Sequence, residues 1–134
     1  MIVVDTSVIY ALLDANDNNH LAATEWYLGT LPTLTTTPLV LAETDHLAAT
    51  RAGVAAQRAF HRDVADGAYE ITWWPAAAAD SVAIVERYAD LNIGLTDASL
   101  VALADRIGSR DLATFDQRHF RAMRSSTGDT FRLL

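Results

Sequence analysis

Four acidic residues, separated by long stretches of the chain, are the side chains of this sequence best suited to chemistry. They are Asp5, Glu43, Asp97 and Asp116. Clustered carboxylates repel one another, and without a cation some of them have to stay protonated. A hard divalent ion such as Mg²⁺ or Mn²⁺ removes this conflict, because it takes oxygen ligands and leaves positions for water and phosphate. Such an ion can lower the pKa of a bound water and stabilise charge on an attacked phosphate, so the residue types indicate hydrolysis of phosphodiesters or other phosphate esters.

Three of these acids stand where a strand should end or a helix should begin. Asp5 follows the apolar run Ile2–Val4, Asp116 follows a predicted strand ending at Phe115, and Asp97 follows Thr96, a predicted helix cap. In open parallel sheets, sites form in the crevice beyond the carboxyl ends of the strands. We therefore expect Asp5 and Asp116 at the same edge of the molecule. Taken singly, Asp97 and Asp116 are also consistent with ordinary capping or helix-dipole residues.

Glu43 lies in the middle of a predicted helix, on the face that carries Val40 and Leu47. A carboxylate on an apolar face is expected to be costly to desolvate unless a partner compensates its charge. The alternative is a glutamate that extends to solvent or forms a salt bridge. Asp45 points about 200° away around the same helix, so we expect it on the surface.

The elements that must position these acids alternate between strand and helix. Ile2–Val4 is non-alternating and β-branched, as is typical of a buried parallel strand. Further strands are predicted at about 33–36, 70–73, 111–115 and 130–134. Helices are predicted at about 6–13, 18–28, 38–51, between Gly53 and Gly67, at 76–90, from Thr96 to before Gly108, and at 117–123. This order predicts one α/β domain over residues 1–134 with a mainly parallel sheet.

Composition limits the chemistry further. The 134 residues include no cysteine, which leaves oxygen or imidazole ligands for a metal. We expect a soluble cytoplasmic protein with no membrane span, because no apolar run is long enough. The net charge is −7, and all ten basic residues are arginines, six of them between Arg106 and Arg132. An acidic chain is compatible with nucleic-acid binding only if metal neutralises the acids and arginines line the rim.

Several other enzyme classes lack the residues that they require. Ser7 stands where a haloacid-dehalogenase-type phosphatase needs its second aspartate, and the chain has no lysine, which those enzymes and receiver domains use. No Gly-Lys-Ser/Thr loop and no Gly-x-Gly-x-x-Gly motif is present. A metal-dependent phosphatase of another kind, acting on small esters, stays open as an alternative.

The ordered set of short motifs resembles the PIN-domain proteins, and among them the VapC toxins of bacterial toxin–antitoxin pairs. It consists of Ile2-Val3-Val4-Asp5-Thr6-Ser7, Ala11-Leu12-Leu13-Asp14, Leu41-Ala42-Glu43, Leu95-Thr96-Asp97-Ala98 and Thr114-Phe115-Asp116 followed by His119-Phe120. The resemblance covers essentially the whole chain. It implies a PIN-like three-layer α/β/α sandwich in which Asp5, Glu43, Asp97 and Asp116 form the acidic quartet that holds Mg²⁺ or Mn²⁺.

The same resemblance implies the function and the partners. Such proteins cut structured RNA, often tRNA or rRNA, as endoribonucleases, usually form homodimers and are silenced by a cognate VapB antitoxin. Ser7 or Thr6 would lie beside the metal and help to order water or phosphate. A PIN-like module that binds RNA or a protein without catalysis is the alternative from another class.

Among the arginines, Arg118 is the expected phosphate contact, because it lies two residues after Asp116. Arginine suits bidentate recognition of phosphate. A second basic stretch, Arg51 to Arg62, is interpreted as a solvated helix face. The four histidines lack metal-ligand spacing, and His119 is interpreted as structural.

Overall fold

Five parallel strands form the centre of the fold, and the computed structural model describes all of residues 1–134. The strands are β1 (Ile2–Val4), β2 (Leu34–Thr36), β3 (Glu70–Ile71), β4 (Asp111–Ala113) and β5 (Arg132–Leu133). They lie in the order β3-β2-β1-β4-β5, and every adjacent pair is parallel. The predicted parallel sheet is confirmed.

Seven α-helices connect the strands. They are α1 (Thr6–Leu13), α2 (His20–Leu28), α3 (Pro38–Leu47), α4 (Val54–Ala65), α5 (Ala77–Arg87), α6 (Leu95–Ile107) and α7 (Gln117–Ala122). A π-helical turn, Ala48–Ala52, follows α3, and a 3₁₀ turn, Ala89–Leu91, follows α5. None of these helices combines the length and the apolar character that crossing a membrane would require.

The helices form the two outer layers of the sandwich. From β1 to β3 the chain advances across the sheet in one direction, and from β3 to β4 and β5 it returns in the other. Because crossovers between parallel strands are right-handed, α1 to α4 belong to one face and α5 to α7 to the other. The packing of α1 against α2, α3 and α4, and of α5 against α6, agrees with this division. The expected three-layer α/β/α architecture is confirmed.

The central strand β1 is buried on both faces. Val3 and Val4 have no exposed surface, and Val3 is paired with Thr35 of β2 and Leu112 of β4. This explains why the run has no alternation of polar and apolar residues, since neither face of β1 meets solvent. The two edge strands, β3 and β5, are only two residues long.

Two predicted boundaries near the candidate acids were wrong. α6 begins at Leu95 with Gly94 as its N-cap, so Thr96 lies inside the first turn and does not cap the helix. β4 ends at Ala113, and Asp116 does not directly follow the strand. The strand stops because the Phe115 N–H donates to the Ser7 hydroxyl, at 2.9 Å, and not to a neighbouring strand.

Candidate active site

The fold brings all four predicted acids to one cavity of about 260 Å³. Asp5 follows β1, Glu43 lies in α3, Asp97 is in the first turn of α6, and Asp116 immediately precedes α7. The full lining is Asp5, Thr6, Ser7, Tyr10, Asp17, Asn19, Glu43, Leu47, Arg51, Asp97 and Asp116. Side chains far apart in sequence and carried by different elements therefore share one opening.

The cavity lies beyond the carboxyl ends of β1 and β4, where the strand order reverses. β1 and β4 are hydrogen-bonded neighbours, yet the chain leaves β1 toward β2 on one side and leaves β4 toward β5 on the other. The helices that follow them therefore lie on opposite faces of the sheet, and a crevice opens between their starts. Asp5 and Asp116 stand at the two sides of that crevice.

Asp5 is 5% exposed and is held by hydrogen bonds from both neighbouring segments. Its Oδ1 accepts from the Thr6 N–H at 2.7 Å, and its Oδ2 accepts from the hydroxyls of Ser7 at 2.9 Å and Thr114 at 2.8 Å. The Thr114 hydroxyl also accepts from the Asp116 N–H at 3.0 Å, so it links the two acids. These contacts fix the orientation of the Asp5 carboxylate without neutralising its charge.

The acids influence one another electrostatically. Burial raises the pKa of Asp5, its three hydrogen bonds oppose that rise, and the charge of Glu43 adds to it. Burial and the charge of Asp5 raise the pKa of Asp97 to about 6, with a smaller contribution from Asp116. Neighbouring carboxylates thus make Asp5 and Asp97 harder to ionise, as expected for acids that share a site.

His119, predicted to be structural, lies beside Asp97. Its Nδ1 is 3.5 Å from Oδ2 of Asp97, and both side chains are 26% exposed. This contact lowers the pKa of Asp97, although burial and Asp5 outweigh it. The imidazole restrains the carboxylate of Asp97, as Ser7 and Thr114 restrain that of Asp5.

Glu43 and Arg118 differ from expectation in their surroundings. Glu43 is exposed, so the expected desolvation of its carboxylate on an apolar face was wrong. Val40, which also belongs to α3, is fully buried, whereas Glu43 points from the same helix toward the cavity. Arg118 is exposed on α7 and does not line the cavity.

The donor atoms of the cavity fit a hard divalent ion, because the four carboxylates and the hydroxyls of Thr6 and Ser7 all supply oxygen. The Thr6 hydroxyl is buried and has no hydrogen-bond partner within the protein. No three acidic or imidazole side chains converge closely enough to enclose an ion. Mg²⁺ does not need such a cage, because it keeps several waters and is usually bound through one or two carboxylates plus phosphates.

Sequence reasoning did not assign to this site Thr114 or five of the lining residues, which are Tyr10, Asp17, Asn19, Leu47 and Arg51. Thr114 was noticed only as part of a motif, but its hydroxyl joins Asp5 to the backbone of Asp116. Arg51 was interpreted as part of a solvated helix face, but it lines the cavity. The hydrogen bond of Thr114 joins segments that are 109 residues apart, and the position of Arg51 depends on the π-helical turn Ala48–Ala52, so the local pattern gives no signal for either.

Comparison with known proteins agrees with the geometry. The PIN domain family model matches residues 2–125. The chain is 41% identical over 133 residues to Ribonuclease VapC26 of Mycobacterium tuberculosis (strain ATCC 25618 / H37Rv). The aligned region covers 98% of each of the two chains.

Solved structures share the fold. The crystal structure of Mycobacterium tuberculosis VapC20, a sarcin-ricin loop cleaving toxin, is similar with a TM-score of 0.82 and 24% identity, over 87% of this chain and 91% of that one. A toxin–antitoxin complex from Klebsiella pneumoniae is similar with a TM-score of 0.68 and 19% identity, over 92% of both chains. The fold, the cavity of acids and the near full-length relative lead to one assignment. This chain belongs to the PIN-domain family and is a relative of the VapC proteins.

Proposed function

We propose that this protein is a Mg²⁺-dependent endoribonuclease toxin of the VapC type, which hydrolyses phosphodiester bonds in structured RNA such as tRNA or rRNA. The observation that carries the proposal is the cavity into which four elements deliver Asp5, Glu43, Asp97 and Asp116. The 41% identity to Ribonuclease VapC26 supports RNA as the substrate. Mn²⁺ is expected to substitute for Mg²⁺, because both ions take oxygen ligands.

In this proposal Asp5 and Asp97 are the primary metal ligands, and Glu43 and Asp116 complete the shell through bridging water. A divalent ion bound there would make water a better nucleophile and offset the charge that develops on the attacked phosphate. Both primary ligands have raised pKa values, and a bound cation would favour their ionised forms.

The other polar side chains position these ligands and the substrate. Ser7 and Thr114 hold Asp5 through hydrogen bonds, and His119 restrains Asp97. Thr6 and Ser7 also line the cavity and would help to order water or phosphate beside the metal. Arg118, exposed on α7 just after Asp116, would contact RNA that extends beyond the cavity.

The test is cleavage of total RNA by the purified protein in Mg²⁺ and in EDTA. Discrete fragments are expected only in Mg²⁺. Asp97→Asn should abolish them, whereas the matched control Asp111→Asn, at the opposite end of β4, should not. Intact RNA in Mg²⁺ would contradict the proposal, and so would fragments that survive Asp97→Asn.

We further propose that residues 1–134 act as one PIN domain, as a homodimer in the cytoplasm, and that a VapB-type antitoxin neutralises the protein. The toxin–antitoxin complex with the same fold supports the antitoxin. The check is co-expression with the small protein encoded next to this gene. Co-purification with loss of RNA cleavage is expected, and light scattering of the free protein measures its oligomeric state.

A further inference from the structure

The cavity of acids contains one basic side chain, Arg51. Among the eleven lining residues it stands with five acids: Asp5, Asp17, Glu43, Asp97 and Asp116. An anionic polymer that reaches those acids must approach a strongly negative opening. Arg51 is therefore the one fixed cation of this chain that such a polymer meets inside the cavity.

The guanidinium of Arg51 is not used by the protein. The ion pairs of the structure engage His61, Arg110, His119 and Arg132. Arg121 and Arg124 donate hydrogen bonds to Gln117 and to backbone carbonyls. Arg51 takes part in no such contact, although its neighbours in the cavity are acidic. A residue serving only as their counter-ion would pair with one of them, and Arg51 does not.

The π-helical turn Ala48–Ala52 places Arg51 in the cavity. In a continuous α-helix, Arg51 would stand about 80° around the axis from Glu43, since it is eight residues further along. A π turn contains more residues per turn than an α turn, so each residue rotates the chain less. Here the Gly53 N–H bonds to the Ala48 carbonyl at 2.9 Å, the i to i+5 bond of a π turn. Glu43, Leu47 and Arg51 consequently share the face that lines the cavity.

The positive charge of Arg51 acts on Tyr10, another residue that lines the cavity. Burial and a hydrogen bond to Asp14 raise the pKa of Tyr10 to about 12, and the positive charge of Arg51 opposes that rise. Tyr10 belongs to α1 and lines the same cavity. Arg51 thus lies close enough to act on groups held there, even though it is exposed and free of partners.

From these contacts we propose that Arg51 binds a backbone phosphate of the RNA held in the cavity and so positions the strand against the four acids. The inference rests on the proposed function for its ligand, a phosphodiester chain. The planar guanidinium can donate two parallel hydrogen bonds to one phosphate, which a lysine cannot do. Because the contact is made in the bound strand, Arg51 contributes mainly to binding and to KM.

The test compares Arg51→Ala with Arg58→Ala, an exposed arginine of α4 that lies outside the cavity. Both variants lose the same charge. Binding of fluorescently labelled total tRNA is measured by anisotropy in Ca²⁺ over a range of NaCl concentrations, and a gel taken afterwards checks that the RNA is intact. Cleavage of total RNA in Mg²⁺ is measured in parallel.

Arg51→Ala should weaken tRNA binding by about 10-fold and reduce the slope of log K against log salt by about 0.7 to 0.9, the value for one phosphate contact. Arg58→Ala should change binding by less than about 2-fold. Arg51→Lys should keep the salt slope and recover only part of the affinity, because it keeps the charge but not the planar fork.

Equal effects of Arg51→Ala and Arg58→Ala would overturn the inference, as would a wild-type protein that does not bind tRNA. A third contradicting result is unchanged RNA binding by Arg51→Ala together with tighter Mn²⁺ binding, since that would make Arg51 a counter-ion of the acids. Binding that depends on Arg51 without any cleavage in Mg²⁺ would instead contradict the proposed function and keep the inference.

Discussion

At the start of β4, Asp111 accepts two hydrogen bonds from the guanidinium of Arg132, at 2.6 and 2.9 Å. Beyond the other end of the same strand, Asp116 shares a cavity with Asp5 and Asp97, and none of these three is paired with an arginine. The pKa of Asp111 is lowered by the hydrogen bond from Arg132, whereas burial raises the pKa values of Asp5 and Asp97. One end of the strand pairs its acid with an arginine, and at the other end no acid is paired with an arginine.

The difference teaches what separates a stabilising acid from a functional one in this fold. An acid that only supports the structure can be matched by a nearby arginine, because the chain gains from neutralising it. If Asp5 and Asp97 hold a metal, as we propose, an arginine paired with either of them would compete with the ion. The metal-free protein therefore carries an electrostatic cost at one end of the sheet that is absent from the other.

The largest expected effect comes from removing the charge of Asp5. Asp5→Asn should lower RNA cleavage in Mg²⁺ at least about 100-fold, because a primary metal ligand is lost. It should also remove the rise in melting temperature that Mn²⁺ gives the wild-type protein. Differential scanning fluorimetry with and without Mn²⁺ checks this point. If Asp111→Asn lost the Mn²⁺ response as well, the contrast between the two ends of β4 would be refuted.

A smaller loss is expected when the support of Asp5 is removed and its charge is kept. Thr114→Val deletes the hydroxyl that donates to Asp5 and accepts from the Asp116 N–H. Cleavage should fall about 10-fold, as is typical for residues that orient a metal ligand. Thr35→Val is the matched control, because it removes a buried hydroxyl that bonds to the Glu70 carbonyl, away from the acids. Equal losses of activity in the two variants would show that Thr114 has no special part in positioning Asp5.

The next largest effect is an increase in the free energy of unfolding when Asp97 is replaced by asparagine. The pKa of Asp97 rises from 3.8 to about 6 on folding. The metal-free folded state therefore binds more protons than the unfolded state between those values, and its stability falls as pH rises through that window. Asp97→Asn should raise the free energy of unfolding at pH 8 by about 1–2 kcal/mol after allowance for solvent screening. The gain should disappear near pH 4. Urea unfolding in EDTA at the two pH values measures it, and a destabilised variant at pH 8 would contradict the electrostatic account.

The smallest effect is expected at Asp111, and it should have the opposite sign. A lowered pKa means that the contact with Arg132 stabilises the fold above pH 3.8 and is lost as pH falls below it. Asp111→Asn should therefore lower the melting temperature slightly at pH 7 and leave cleavage unchanged, because an exposed ion pair contributes little. A large loss of stability, or any loss of cleavage, would show that the pair does more than join β4 to β5.

The sequence was sufficient to predict the strand that carries Asp5 and the start of the helix that carries Glu43. The β-branched run Ile2–Val4 predicted β1, and its position before Asp5 predicted the acid at the carboxyl edge of a parallel sheet. The helix predicted from about residue 38 begins at Pro38, so the predicted start of α3 is confirmed. These features depend on neighbouring residues, so a local pattern reveals them.

The details of the site needed the fold. Thr114 and Asp5 are 109 residues apart, and their hydrogen bond follows from the pairing of β1 with β4. The helix expected to run unbroken to Arg51 changes to π geometry after Leu47, and this change brings Arg51 into the cavity. A π turn is a rare local departure from an α-helix, and no residue of Ala48–Ala52 signals it in the sequence.

The shortness of β3 and β5 limits how another polypeptide can attach to this protein. A strand added at either edge would find only two residues of regular backbone against which to pair, Glu70–Ile71 or Arg132–Leu133. Extended peptides that bind by lengthening a sheet depend on a longer row of free backbone groups. An inhibitor of the kind we propose would therefore depend on side-chain contacts more than on an added strand.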